Sequence, residues 1–297
     1  MSIAHLSERA VLKIGGADAR TFLDGLVTND MAGVTPDQAG YGALLTPQGK
    51  IIVDFFVIAL PGDDGGGFLI DTPAATAPEL IRKLVLYKLR AKVTVEDLSG
   101  TATVIAATDG GLLPPDVGVV FADPRFAGMG DRAIVDLDDV SSLTSASPDD
   151  YHAHRIVTGV PDGGKDFGYG GTSTFPHEAL LDQLGGVSFT KGCYVGQEVV
   201  SRMEHRGTAR TRCVPVVFTG GFRSEWGVEI RAGEKLIGHI GSTAKGRGLA
   251  MVRLDRWADA LAAGEAVMGG GLEIALVKPT FIRFPFPGEA GFGVKED

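Results

Sequence analysis

Cysteine is scarce: Cys193 and Cys213 are the only two in 297 residues. Two thiols exclude a disulfide framework, and they exclude a four-ligand zinc or iron–sulfur site built by one chain alone. Such sparse usage fits a reducing compartment. Long apolar runs are also missing. The longest, Ile51–Leu60, is interrupted by Asp54 and falls short of the roughly 18 residues of a membrane span. The first 25 residues carry Glu8, Asp18 and Asp24 and no basic start before an apolar block, so no secretory signal is read. Positive charge is short as well: 28 Lys and Arg face 37 Asp and Glu, a net charge of −9. That balance argues against nucleic-acid binding and against binding to an anionic membrane, because neutralising phosphates needs an excess of cations.

What is present is a globular composition. Hydrophobic residues make up 44%, too many for a disordered chain, and the length predicts two or three compact units. Residues 9–14 read as a strand and Asp18–Leu26 as a helix with Phe22, Leu23 and Leu26 at helical spacing. Tyr41–Leu60 reads as a hairpin turning at Thr46-Pro47-Gln48-Gly49, with a buried second arm from Ile51 to Ile58. Pro61–Gly67 is a loop. A helix is expected from Pro78, with Leu80, Leu84 and Tyr87 on one face, and a strand over Ala91–Asp97. Residues 141–150 form the best polar break, a linker or a long surface loop. Pro176–Leu184 reads as a short helix ended by Gly185-Gly186, Val187-Ser188-Phe189 as a strand, and Val195–His205 as a helix. After Gly207, short apolar segments separated by glycines predict a small all-β unit: Cys213–Phe218, Glu234–Ile240, Leu249–Val252 and Leu272–Val277. The Gly runs 65–67 and 269–271 lack the context of a phosphate loop and read as turns.

The chemistry concentrates in Phe189–Glu198. Cys193 stands where the predicted strand turns into the predicted helix. A helix N-terminus and Lys191 two residues away would both favour its thiolate. The alternative is a buried, inert cysteine in a tight turn. Gly192 and Gly196 allow a tight turn or a close backbone approach. Lys191, Arg202, Arg206, Arg210 and Arg212 outnumber Glu198 and Glu204 between residues 191 and 212. This basic patch is either a seat for a small anionic ligand or a solvated helix face. Asp54 in an apolar strand is costly if unpaired; it meets an arginine or a ligand amine, or sits at the strand's exposed edge. Asn29 and Asp30 end a helix and serve a turn or a pocket. Glu178 interacts with a helix start or accepts from a ligand nitrogen. Arg155 makes a structural ion pair or binds a ligand. His152, His154, His177 and His205 show no metal-ligand spacing, so no metal site is expected, and Cys213 reads as a small buried side chain.

Lys191-Gly192-Cys193-Tyr194-Val195-Gly196-Gln197-Glu198 resembles the signature of the YgfZ family of folate-binding proteins in iron–sulfur cluster assembly and repair. Further blocks are similar and in the right order: Phe22–Asp30, Leu45–Lys50, Gly159-Val160-Pro161, Phe175–Glu178 and Val199–Arg202. The resemblance implies an α+β, three-lobed aminomethyltransferase-like fold with a C-terminal β-barrel and a central ligand channel. The lobes would be 1–100, 101–206 with the octet, and 207–297, the first two open to interweaving. It implies tetrahydrofolate or a one-carbon derivative as cofactor, held among Asn29, Asp30, Asp54, Arg155, Glu178, Tyr194, Gln197, Glu198 and Arg202. Cys193, assisted by Lys191, would be a reactive thiol near that site and a possible transient ligand of an iron–sulfur cluster. Partners would be folate, iron–sulfur assembly proteins or cluster-containing client enzymes, with no nucleic acid and no membrane. The location would be cytoplasmic, or the mitochondrial matrix in a eukaryote. The alternative is a folate-dependent aminomethyltransferase or other one-carbon transferase. The aminomethyltransferases carry paired aspartates where this sequence has Asp54 alone, which puts aminomethyl transfer in doubt.

Overall fold

A computed structural model describes residues 2–62, 66–170, 174–207, 209–220 and 224–293. The chain divides into two compact units: Met1–His154 with Leu184–Gln197, and Arg155–Gln183 with Glu198–Asp297.

The first unit carries, in chain order, β1 (Ile3–His5), β2 (Arg9–Gly15), α1 (Ala19–Asp24), β3 (Gly40–Leu45), β4 (Ile51–Ala59), β5 (Phe68–Pro73), α2 (Ala77–Tyr87), β6 (Thr94–Asp97), β7 (Ala102–Ala107), β8 (Val119–Ala122), β9 (Asp131–Asp136), α3 (Val140–Leu143) and α4 (Pro148–Thr158), whose last residues pass into the second unit. Two antiparallel sheets result, ordered β3-β4-β5-β2-β6 and β1-β7-β9-β8. The expected hairpin is β3–β4. Gly49 N–H donates to Thr46 O at 2.9 Å and Gly49 takes φ +78°, which closes the turn. All nine residues of β4 are buried because both of its faces are covered. Val53, Phe55 and Val57 join Leu23 of α1 and Leu80 and Leu84 of α2 in one apolar core. Burying a side chain such as Phe55 stabilises by about 1.5–3 kcal/mol.

The opposite face of β4 meets charge. Asp71 of β5 is fully buried between Arg9 Nε at 2.5 Å and the Arg132 guanidinium at 2.5 Å. Burial pushes the Asp71 carboxyl up, but Arg132 and Arg9 more than offset this and hold it below the usual range. Tyr151 Oη accepts from Arg132 at 2.7 Å and Arg125 at 3.0 Å, and Arg125 is closed by Asp123 at 2.7 Å. The Phe56 ring lies 4.4, 4.8 and 5.5 Å from the Arg132, Arg125 and Arg9 guanidiniums. Asp54 is part of this interior. The expectation of an exposed strand edge fails, because β4 is flanked by β3 and β5 and Asp54 is only 2% exposed. Tyr41 Oη donates to it at 2.8 Å.

The polar stretch 141–150 is not a free linker. It holds α3 and the start of α4, and the Ser145 and Ala146 N–H groups both donate to Ile3 O, which ties it to β1. Of the Pro61–Gly67 loop and the Gly run 65–67, residues 63–65 lie outside the described residues.

Residues 176–185, of which 176–183 belong to the second unit, form successive turns rather than the expected helix. Leu180 sits at φ +64°, which no α-helix accommodates, and the Leu181 N–H reaches back to Pro176 O. Gly159, at φ +89°, is where a Cβ would meet the Pro215 and Pro279 rings at 2.7 Å. α5 (Gln197–Arg206) starts on the last residue of the first unit. The glycine-punctuated tail closes into the expected barrel. Its strands are β10 (Thr211–Phe218), β11 (Glu229–Ala232), β12 (Lys235–Ala244), β13 (Arg247–Arg253), β14 (Val267–Gly269) and β15 (Leu272–Leu276), in the order β10-β13-β12-β11-β14-β15 with β15 pairing back to β10. α6 (Leu254–Ala263) follows β13. Closure removes the unpaired edges that short strands would otherwise expose.

Candidate functional site

In the first unit, three of the similar blocks converge. Thr28 Oγ1 donates to Gly186 O at 2.5 Å, and Ser188 N–H donates to Thr28 O at 2.9 Å. Asn29 Nδ2 donates to Tyr41 O at 2.7 Å and to Gly185 O at 3.3 Å. These bonds hold 186–188 without regular secondary structure, so the expected strand at 187–189 is absent. Asp30 caps a short helical turn by accepting from Ala32 N–H at 2.8 Å. Asn29 and Asp30 thus serve backbone groups here.

Lys191 fixes the loop that follows. Its side chain is 1% exposed. The ammonium donates to Asp24 O at 2.6 Å, Asn29 O at 2.7 Å and Val27 O at 3.1 Å, and it lies 3.0 Å from Asp24 Oδ1. A cation set on the carbonyls left open after a helix is a favourable arrangement. Gly196 takes φ +84°, and a Cβ there would stand 2.6 Å from Thr46 O, so the octet lies directly against the β3–β4 turn. Gly192 has open space around it and no such requirement.

Between these anchors Cys193 is exposed. The setting expected for it is not met. No strand precedes it, α5 begins only at Gln197, and the Lys191 ammonium is engaged by carbonyls. Tyr194 turns inward and is 7% exposed, with the Lys191 ammonium 5.5 Å from its ring centre. Burial pushes its phenol up to about 12. Cys213 is fully buried in β10, and burial raises its thiol well above the ordinary value.

The second unit holds a cleft of about 370 Å³. Phe175, Val199 and Met203 supply apolar wall, Glu178 one carboxylate, and Arg202, Arg206, Arg210 and Arg253 four guanidiniums. Glu178 is steadied by Phe175 N–H, which donates to its Oε2 at 2.8 Å. Arg253 is closed by Asp255 through bonds of 2.9 and 2.6 Å. Those bonds, with help from the Arg256 N–H and the more distant Arg210, hold Asp255 below the usual range against its partial burial. Arg202 faces Glu198 at 3.8 Å, and Glu198 is 91% exposed. The sequence patch therefore divides: Arg202, Arg206 and Arg210 line a cleft, whereas Lys191 and Arg212 are structural. Arg212 donates to His177 O and to both Asp182 oxygens. Sequence reasoning missed Arg253, which comes from a barrel strand; no local pattern marks it.

Arg155 is fully buried, with Asp166 at 2.5 Å and Ser242 Oγ at 2.8 Å as partners. It occupies the structural ion pair of its two expected settings. His177, Asp182 and Glu204 bring ligand-type atoms within 4.8 Å of one another. The His177 Nε2–Glu204 hydrogen bond at 2.8 Å and the Arg212 guanidinium on Asp182 already engage these groups. A cation would have to displace both.

Comparison with known proteins follows the same lines. A family model for the GCVT N-terminal domain matches residues 1–108, and one for the CAF17 C-terminal beta-barrel domain matches 210–284. An iron-sulfur cluster assembly factor IBA57 homolog of Chaetomium globosum is 32% identical, over 91% of this chain and 76% of that protein. The chain belongs to the IBA57 family of YgfZ-type proteins.

Other IBA57 relatives agree. The Homo sapiens protein is 34% identical over 72% of this chain and 65% of its own length. The Mycosarcoma maydis homolog is 33% identical over 73% and 57%. The chain thus spans somewhat under two thirds of these two IBA57 proteins. Both are named as mitochondrial proteins. Among the described residues no helix is long and apolar enough to cross a membrane. The crystal structure of glycine cleavage system aminomethyltransferase T from Bartonella henselae superposes with a TM-score of 0.74 at 15% identity, covering 95% of this chain and 86% of that one. This IBA57-family chain therefore has an aminomethyltransferase-like fold, mixed in helix and strand, ending in a closed six-stranded barrel.

Proposed function

We propose that this chain is a tetrahydrofolate-binding accessory factor for iron–sulfur cluster assembly or repair, working through the thiol of Cys193. The observation that carries the reading is the exposed Cys193 on a loop held by a nearly sealed Lys191 and by Gly196. The IBA57 relatives, named as iron-sulfur cluster assembly factors, support the process. A single accessible thiol cannot complete the ligand set of a cluster. Cys213, being buried, does not add to it. The cluster is cargo, and the remaining ligands come from an assembly protein or from the client enzyme that receives it.

The cleft suits a reduced folate by the chemistry of its wall. A pteridine needs flat apolar contact and an acceptor for its ring N–H groups, which Phe175, Val199, Met203 and Glu178 offer. A glutamyl tail needs cations, which Arg202 and Arg206 offer. When bound, tetrahydrofolate supplies a carrier for a one-carbon unit. The chain's own part is to hold the ring on Glu178, hold the tail on the guanidiniums, and keep the thiol presented. Aminomethyl transfer is the weaker reading, because β4 offers Asp54 alone, tied to Tyr41.

The test replaces Cys193 with Ser in cells lacking the endogenous protein and measures cluster-enzyme activities. The expected result is loss of those activities with an unchanged far-ultraviolet spectrum of the purified variant. Normal activity would remove Cys193 from the function. Release of methylene-folate from an aminomethylated carrier protein would favour the transferase instead.

A further inference from the structure

The wall of the cleft carries more positive charge than a single glutamyl tail neutralises. Arg202 and Arg206 lie one turn apart on α5, and Arg210 follows at the same interval just before β10. Arg253 is closed by Asp255 and is not available. The Arg202–Glu198 contact is long and lies between exposed groups, so it exchanges readily for a ligand carboxylate. Among the described residues no carboxylate pairs directly with Arg206 or Arg210; Arg210 feels Asp255 only at longer range. Glu178, the one acid on the wall, is placed for the ring. Three guanidiniums therefore face a tail that, with one glutamate, has two carboxylates.

We propose that this cleft takes its folate in the oligo-γ-glutamyl form, with Arg202, Arg206 and Arg210 as a ladder that reads tail charge. The inference rests on the folate reading above and deepens it by naming the ligand class. Each added γ-linked glutamate brings one more carboxylate along the row. An exposed charge pair strengthens binding about two- to fivefold, and the one guanidinium that the monoglutamate's two carboxylates leave over sets the limit of the gain. The preference is electrostatic, so it weakens as salt shortens the screening length.

The experiment is isothermal titration of the full chain with tetrahydropteroyl-monoglutamate and tetrahydropteroyl-pentaglutamate at low and at physiological salt. The expected result is about two- to fivefold tighter binding of the pentaglutamate at low salt, with a steeper salt dependence than the monoglutamate shows. Arg210→Gln, an exposed position, is expected to remove most of that difference. Equal affinities for the two forms would overturn the ladder and leave the folate reading standing. Heat from neither form would overturn both. A full length preference surviving in Arg210→Gln, and in the double variant with Arg206→Gln, would place the tail elsewhere and overturn the assignment.

Discussion

Lys191→Met tests how the Cys193 loop is held. Methionine keeps a long unbranched stem and removes only the ammonium. Three carbonyls lose a charged donor: those of Asp24, Val27 and Asn29. A hydrogen bond to a charged group contributes about 1.5–3 kcal/mol net. The three are not additive, since they share one donor, and water reaches part of the site because the Asp24 side chain is 38% exposed. The ion pair with Asp24 adds well under 1 kcal/mol for the same reason. A total of about 3–5 kcal/mol is expected, the range for breaking a buried charged contact. For a unit of this size that lowers the midpoint of thermal unfolding by roughly 10 °C. Calorimetry reads the shift. Hydrogen exchange at the Ser188 and Lys191 amides, bonded to Thr28 O and Ser188 Oγ, reads the loop itself. Asp24 also gives the effect a pH signature. Burial raises its carboxyl, but the Met31 N–H and Lys191 outweigh this and hold it below the usual value. A depressed carboxylate stabilises above its unfolded pKa near 3.9, and that part is lost as pH falls through the folded value. The variant should therefore lose less stability than the wild type on acidification below about pH 4. A midpoint within 2 °C of wild type, with unchanged amide protection, would show that the carbonyls need no cation.

Two further outcomes follow from buried groups. Asp71→Asn leaves the Arg9 and Arg132 guanidiniums facing a neutral amide in a sealed interior, and urea unfolding should show a loss of about 3–5 kcal/mol; a loss under 1 kcal/mol would mean that water or other groups compensate them. Because the Asp71 carboxyl is held low, the stability it provides is present above its unfolded value and declines as pH falls below about 4. Maleimide should add once to the native protein, at Cys193, and a second time only after denaturation, because Cys213 is fully buried with its thiol raised; two adducts forming at equal rates under native conditions would contradict the burial.

Local grammar made much of the fold legible. Pro47 and Gly49 mark the β3–β4 turn, Pro78 with Leu80 and Leu84 marks α2, and glycine-separated apolar segments mark β10, β12, β13 and β15. The errors have tertiary causes. Residues 176–185 carry a helix-like pattern, yet Ala179, Leu180 and Leu181 are all fully buried, and a regular helix with one inward face cannot bury three consecutive side chains. Leu180 turns left-handed instead. The surroundings of Asp54 were partly readable. The hairpin register puts Ala43 opposite Asp54, so Tyr41, two residues along, lies on the same face. The partners of Lys191 were not readable, since they lie more than 160 residues away in sequence. Spacing showed a cation two residues from a cysteine; the fold turns that cation inward.

That inward turn changes the argument for Cys193. A lysine two residues from a cysteine suggests tuning of the thiol, but this ammonium is committed to backbone oxygens and acts on position. A long apolar side chain could fill the same space, yet it would leave the carbonyls at the end of α1 without a donor. Gly196 adds a second constraint, since any Cβ there would collide with Thr46 O. Ordering a loop costs about 1–2 kcal/mol per residue in backbone entropy, and ordering an exposed cysteine adds little apolar burial in return. The fixed loop is therefore poorly explained by folding alone. A thiol held at one place suits a ligand or nucleophile that must meet a partner, where order established beforehand lowers the cost of association.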